Sequence, residues 1–199
     1  MIVAEQVVAA LDGATVTNAV NIPVVDQADL EVLGPFIPLA SQLGRIAVGL
    51  AAGAPHRITV AAHGPLSEHD TRLLTAAALN GAFQERVDQV VNVVNATMIA
   101  AERGIAVVEE RNRASSDYTN TVEVRLVSDG EEVTVSGTTI GPEPRLFLGG
   151  ALGFGIDLEI APHMVFIRYP DQPGVIGRVG STFGDAGVNI ANMAVSRTT

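Results

Sequence analysis

His63 and His69 flank a Gly64-Pro65 turn, with Glu68 and Asp70 close by, and two imidazoles beside two carboxylates could bind a metal or move protons. The His-x5-His spacing fits no zinc motif. Ser67 followed three residues later by Asp70 is a capping-box-like helix start, which accounts for Ser67, Glu68 and Asp70 without chemistry. Other reactive groups are scarce. All 12 basic residues are Arg, and the chain has neither Lys nor Cys. Schiff-base lysines, thiol nucleophiles, disulfides and cysteine-ligated metals are thereby excluded. No G-x-S-x-G elbow offers a serine nucleophile. The glycines between Gly149 and Gly155 do not form G-x-G-x-x-G, and strand alternation resumes where a helix should begin, so they suit a backbone bend. Gly174, Gly177 and Gly180 recur every third residue within a helical stretch, which suits close packing rather than a pyrophosphate. These residues provide no catalytic, cofactor or metal site.

The surrounding composition is that of a folded, acidic protein. Of the residues, 47% are hydrophobic but only six Phe and two Tyr are aromatic, so a core must be built from aliphatic side chains. Twenty-two acidic residues against 12 Arg give a formal charge of -10, with no basic stripe, which argues against nucleic-acid partners. The N-terminal segment carries no positive charge before Arg45 and does not read as a secretory signal. The apolar stretches at 46–55 and 146–156 are too short and glycine-rich to span a bilayer, which takes roughly 20 residues. The absence of Cys fits the cytoplasm.

The pattern along the chain predicts two units. Residues 2–11 read as the tail of a helix and 14–23 as a linker, so residues 1–23 precede the first unit. Phe36, Leu39, Leu43, Ile46 and Leu50 mark an amphipathic helix stopped by Gly53-Ala-Pro55. A strand is predicted over 57–62, a helix from the Ser67 cap through Ala78, and another over 87–103. Alternation then predicts strands at 105–109, 121–127, 132–139, 145–148 and 154–160, the second and third joined by a Ser128-Asp129-Gly130-Glu131 hairpin. Residues 24–160 thus form a mixed α/β domain with antiparallel strands, an α+β order. Residues 161–199 read as strand (163–169), helix (173–186) and strand (188–195). Pro173 suits the first helical turn, and Gly187 suits the C-cap.

Asp171, Pro173-Gly174 and Gly187-Val188-Asn189-Ile190 resemble the opening half of an ACT domain. Upstream, Asn21-Ile-Pro-Val24, Pro38–Arg45, Val91–Ala96, Ala101–Gly104 and Val135–Thr138 resemble, in the same order, the intervening domain of long-form D-3-phosphoglycerate dehydrogenases. The resemblance implies an α+β intervening domain followed by the first half of a ferredoxin-like ACT domain. It places the NAD-dependent active site upstream, with residues 2–11 as the helix leaving the catalytic domains. It also implies L-serine as a feedback effector, held between ACT domains of two subunits, with Tyr169, Asp171, Gly174 and Asn189 as its contacts. The local chemistry agrees. A helix N-terminus suits the carboxylate of a zwitterion, an aspartate its ammonium, and an asparagine can both donate and accept. The central partner strand of the fold is missing after Thr199, so truncation is expected, with completion of the half-fold by another chain as the alternative, and the open edges predict a homo-oligomer or aggregation. Family members with an anion-responsive intervening domain carry basic residues before the ACT domain. Here Arg145 is the only one between 145 and 159, which puts such control in doubt. Two alternatives stand beside serine sensing: a purely oligomerising module, and a regulatory subunit of a serine dehydratase, which pairs similar domains.

Overall fold

The helices built from the smallest residues decide where everything else can sit. A computed structural model describes residues 27–84, 86–87, 89–115 and 117–196. The helix expected at 2–11 and the linker at 14–23 lie outside them. The elements are α1 (Gln27–Leu33), α2 (Phe36–Leu50), β1 (Arg57–His63), a 3-10 turn (Gly64–Glu68), α3 (Arg72–Phe83), α4 (Ala96–Glu102), β2 (Ala106–Asn112), β3 (Thr121–Ser128), β4 (Glu131–Ile140), β5 (Arg145–Ala151), β6 (Phe154–Glu159) and α5 (Val175–Asp185).

The six strands form one sheet in the order β2-β1-β3-β4-β5-β6. Every neighbouring pair is antiparallel except β1 and β2. A parallel pair needs a long crossover, and the segment carrying α3 and α4 supplies it. On β3 burial alternates strictly, with Val122, Val124 and Leu126 fully buried on the helix side. On β1 Ile58 through Ala62 are all buried, as suits a central strand covered on both faces.

Helix α2 lies on β3, β4 and β5, with Phe36, Leu39, Ala40, Leu43 and Ala47 facing inward. Helix α3 packs beside it and also touches β1 and β2, where the Thr71 and Thr75 hydroxyls donate to Glu109, and it is buried almost all round, which is why its sequence is chiefly Ala and Leu. The crossing is close at two reciprocal points. A Cβ on Gly44 would stand 2.0 Å from the Ala78 carbonyl oxygen, and one on Gly81 would stand 1.8 Å from that of Ser41. Neither oxygen belongs to a flexible side chain, so only a glycine fits at either site.

Two of the three β-hairpins, β3–β4 and β5–β6, turn through left-handed residue pairs, Asp129-Gly130 and Leu152-Gly153. The second is the bend expected among the glycines at 149–155, and it joins β5 to β6.

Five expectations are corrected. Ser67 does not cap a helix: it lies in the 3-10 turn, its hydroxyl donates to the Gly64 carbonyl (2.7 Å), and α3 starts later, at Arg72. The helix expected over 87–103 is confined to Ala96–Glu102. Before it, the Asn92 side chain accepts from the backbone N–H of Val94 and Asn95, and Asn95 Nδ2 donates to the Val90 carbonyl. Such side-chain bonds compete with helical ones. Helix α5 begins at Val175 rather than at Pro173, because Gly174 is left-handed (φ 86°). Its end is as expected: Gly187 N–H bonds to Gly184 and Val188 N–H to Phe183, the paired bonds of a glycine C-cap.

The fourth correction concerns 163–169 and 188–195, which carry no ladder bonds. A strand exists through its partner, and these two segments do not pair with one another or with the sheet. The first alternates even so. Met164 and Phe166 lean on the core beside Ile160, whereas Val165 and Ile167 face outward. Around Gly177 and Gly180 a Cβ would meet nothing within 4 Å, so the close packing expected there is absent among the described residues.

These environments predict opposite effects of one substitution. Gly44→Ala and Gly81→Ala should each destabilise the chain by about 3 kcal/mol, through overpacking against backbone. Gly177→Ala should stabilise α5 by about 1 kcal/mol, through helix propensity. Urea denaturation checks the first pair, and amide-exchange protection across 175–185 checks the second.

Candidate functional site

The residues singled out for effector binding lie around α5. Asp171 and Gly174 stand just before its first turn, both exposed, and Tyr169 two residues before Asp171 is half-buried. Gly174 takes the left-handed conformation that sets the helix entry, and Arg178 N–H returns to its carbonyl (3.1 Å). The amides of the following turn have no carbonyl within the helix to receive them, so this end is positive and donor-rich. Asn189 is exposed and lies beyond the C-cap at the opposite end. An 11-residue helix is about 16 Å long, so Gly174 and the turn before Asn189 are separated by more than a small amino acid spans. The structure brings Tyr169, Asp171 and Gly174 into one short segment and sets Asn189 apart from them in sequence and along the helix.

Around them, apolar side chains are uncovered. Val165, Ile167, Ile176, Val188, Met193 and Val195 are each exposed, and α5 has no buried residue. Six exposed large apolar side chains between 165 and 195 are more than single scattered residues of a covered surface would supply.

Arg145 opens β5 and is already engaged. Its Nη1 lies 3.2 Å from Glu159 Oε2 across the β5–β6 pair, and its guanidinium sits 5.4 Å from the Phe147 ring centre. An anion at this arginine would have to compete with the carboxylate of Glu159.

The two histidines do not converge. His69 Nδ1 bonds to Asp29 Oδ1 (2.7 Å), and the Asp70 N–H donates to Asp29 Oδ2 (3.2 Å), tying α1 to the end of the 3-10 turn. These bonds hold the Asp29 carboxyl below its ordinary range, the bond from His69 most strongly. His63 ends β1 and lines a recess with Tyr118. Among the described residues no group of three or more His, Asp or Glu stands close enough to hold a metal, and no helix is long and apolar enough to cross a membrane.

Tyr118 is a feature the sequence did not single out. Its hydroxyl donates to Asp157, a non-glycine residue held at φ 49° in β6 where the register with β5 is broken. This bond fastens the loop between β2 and β3 to the far edge of the sheet. A lone aromatic residue in a polar loop gave no sign of it.

This arrangement, a helix-covered mixed sheet followed by a segment with an open helix N-terminus, is that of an intervening domain joined to an ACT-type unit. Residues 32–147 match the D-3-phosphoglycerate dehydrogenase intervening domain, and residues 163–199 match the ACT domain. The chain belongs to the D-3-phosphoglycerate dehydrogenase intervening-domain family. D-3-Phosphoglycerate dehydrogenase of Archaeoglobus fulgidus is 36% identical to it over 197 residues, covering 99% of this chain and 37% of that protein. The Bacillus subtilis enzyme is 33% identical over 195 residues (98% of this chain, 37% of that protein). That of Mycobacterium leprae is 36% identical over 200 residues (99% and 37%). The chain thus spans about 37% of the length of these curated relatives.

Burial and then the bond to Asp157 push the Tyr118 hydroxyl up to about 12 from 10.0. A raised value means that the neutral phenol is favoured in the folded state. The stabilisation is therefore complete below pH 10 and is lost as the pH rises through 12. In a Tyr169→Phe background, which leaves Tyr118 as the sole tyrosine, ultraviolet titration should give a midpoint near 12. Asp157→Asn should lower it while leaving it above 10, because burial is the larger cause.

Proposed function

We propose that this chain is the regulatory and assembly portion of a cytoplasmic D-3-phosphoglycerate dehydrogenase of serine biosynthesis, and that it binds L-serine as feedback effector. In this reading residues 24–160 are the intervening domain and residues 161–199 open the ACT domain. Residues 1–23 lead from the catalytic domains, where NAD and the reacting carbons are handled. The chain itself contributes no catalytic residue.

The observation that carries the reading is the donor-rich start of α5, with Asp171 three residues before the left-handed Gly174, in the segment that matches the ACT domain. Serine is a zwitterion. Its carboxylate suits the free amides after Gly174, its ammonium suits the Asp171 carboxylate, and Tyr169 can close one side. Asn189 lies past the far end of a helix of about 16 Å, so it meets the same ligand only when a second copy supplies it. This favours a site shared between subunits and a homo-oligomer, with the exposed apolar residues of 165–195 as the contact. The relatives are named for the dehydrogenase rather than for a dehydratase, which disfavours the dehydratase alternative. Arg145, already paired with Glu159, gives little support to an anion effector in the intervening domain.

The purely oligomerising reading rests on the same uncovered apolar residues and needs no effector. Calorimetric titration of L-serine separates the two. Binding is expected to a longer form that carries the rest of the ACT domain, with Asp171→Ala and Asn189→Ala each weakening it by about tenfold or more, as for loss of a charge-assisted or buried hydrogen bond. A longer form that assembles but releases no heat with serine would leave the assembly role alone.

A further inference from the structure

The two edges of the sheet are held unequally. β2 pairs with β1 over seven consecutive residues, Arg57–His63 against Ala106–Asn112. β6 pairs with β5 at four positions, and that run is broken in the middle. The break is nested across three strands. Gly137, Leu148 and Leu158 lie abreast, and so do Ser136, Gly150 and Gly155. Between these two rows β4 takes one step, β5 two and β6 three. The edge follows a longer path than the middle, so it bends, and its ladder is interrupted at the bend. Asp157 lies in that interruption with φ 49°, a left-handed conformation unfavourable for a residue with a Cβ unless its surroundings hold it.

Tyr118 occupies the bend. Its ring passes over Gly149, where a Cβ would lie 2.8 Å from Tyr118 Cε2, and its hydroxyl donates to Asp157. The loop that presents this ring is a fixed post. Asn120 Oδ1 accepts from the Leu66 N–H (2.8 Å), the Asn120 carbonyl accepts from Thr138 Oγ1 (2.7 Å), and Ser115 Oγ donates to the Tyr118 carbonyl. The Thr119 carbonyl oxygen lies so near Gly64 that a Cβ there would stand 1.9 Å from it. When the bond between Tyr118 and Asp157 opens, the part free to move is therefore β6 and not the loop. Past Asp157 the chain is held by the Ile160 N–H on the Leu146 carbonyl (2.8 Å) and by Ile160, Met164 and Phe166 against the core. We propose that Tyr118 and Asp157 form a latch on the exit of the intervening domain. Latched, β6 and residues 160–166 lie on the sheet. Unlatched, they open together while β1, β3 and β4 stay folded, a local cooperative opening well below global unfolding. The latch sets how firmly the chain leading to α5 is tied to the sheet, and it does so independently of any ligand at α5.

Native-state amide exchange on the intact chain tests this. Tyr118→Phe keeps the ring and removes only the bond. It should lower protection of the Ile160 amide by about tenfold and shift the Met164 methyl signal, while the Leu66, Val124 and Val135 amides exchange as before. Gly149→Ala, which displaces the ring, should lower Ile160 protection at least as far. Asp157→Gly removes the acceptor without straining the left-handed position, so adding Tyr118→Phe to it should have no further effect. Unchanged Ile160 protection in Tyr118→Phe would overturn the latch. So would an equal fall at Val124 and Val135, which would mean a general loss of stability, or a full effect of Tyr118→Phe in the Asp157→Gly background.

Discussion

The contact between α2 and α3 is the constraint on which the rest of this architecture depends. Each helix presents a glycine to a backbone carbonyl of the other, Gly44 to Ala78 and Gly81 to Ser41, so the two axes approach until backbone meets backbone. That closeness lets the Ala- and Leu-rich α3 be buried beside α2 while it still reaches β1 and β2. It also leaves the sheet-facing side of α2 free to set Leu39 and Leu43 over β3 and β4. A bulkier crossing would lift α3 and lengthen the path from β1 to β2. The parallel β1–β2 pair therefore depends on two glycines that belong to neither strand.

What the sequence revealed was what is decided locally. The spacing of Phe36, Leu39, Leu43 and Leu50 is a property of one helix, and it was found where expected. The Asp129-Gly130 turn is decided by two residues that accept positive φ, and it joins the two strands it was expected to join. The errors fall where another partner decides. Ser67 could have capped a helix but bonds to Gly64 instead. Val87–Asn95 has the composition of a helix, yet two asparagine side chains take the backbone bonds that a helix would need. The parallel pairing of β2 with β1 has no local signature at all.

The same distinction applies to the residues with chemistry. The start of α5 was legible because Pro173, Gly174 and Gly187 are punctuation marks of a helix, even though the first helical turn begins two residues later than Pro173 suggested. The recess beneath Tyr118 was not, because its walls come from β1, β3, β4, β5 and a loop. The glycines at 149–155 hold the bend that their spacing suggests, but the approach of the Tyr118 ring to Gly149, 2.8 Å from where a Cβ would stand, depends on a loop that precedes β3 and has no local signature.

The anchoring of Met164 and Phe166 on the first unit has a mechanical consequence. A connector between two units acts as a tether whose reach grows with its free length. Here the residues after Ile160 do not count toward that length, because alternate side chains are already pinned to the core. The free leash therefore starts only after Phe166, the last of these residues packed on the core. A displacement of α5 would then load the core contacts of Met164 and Phe166 rather than being absorbed as slack in a long connector.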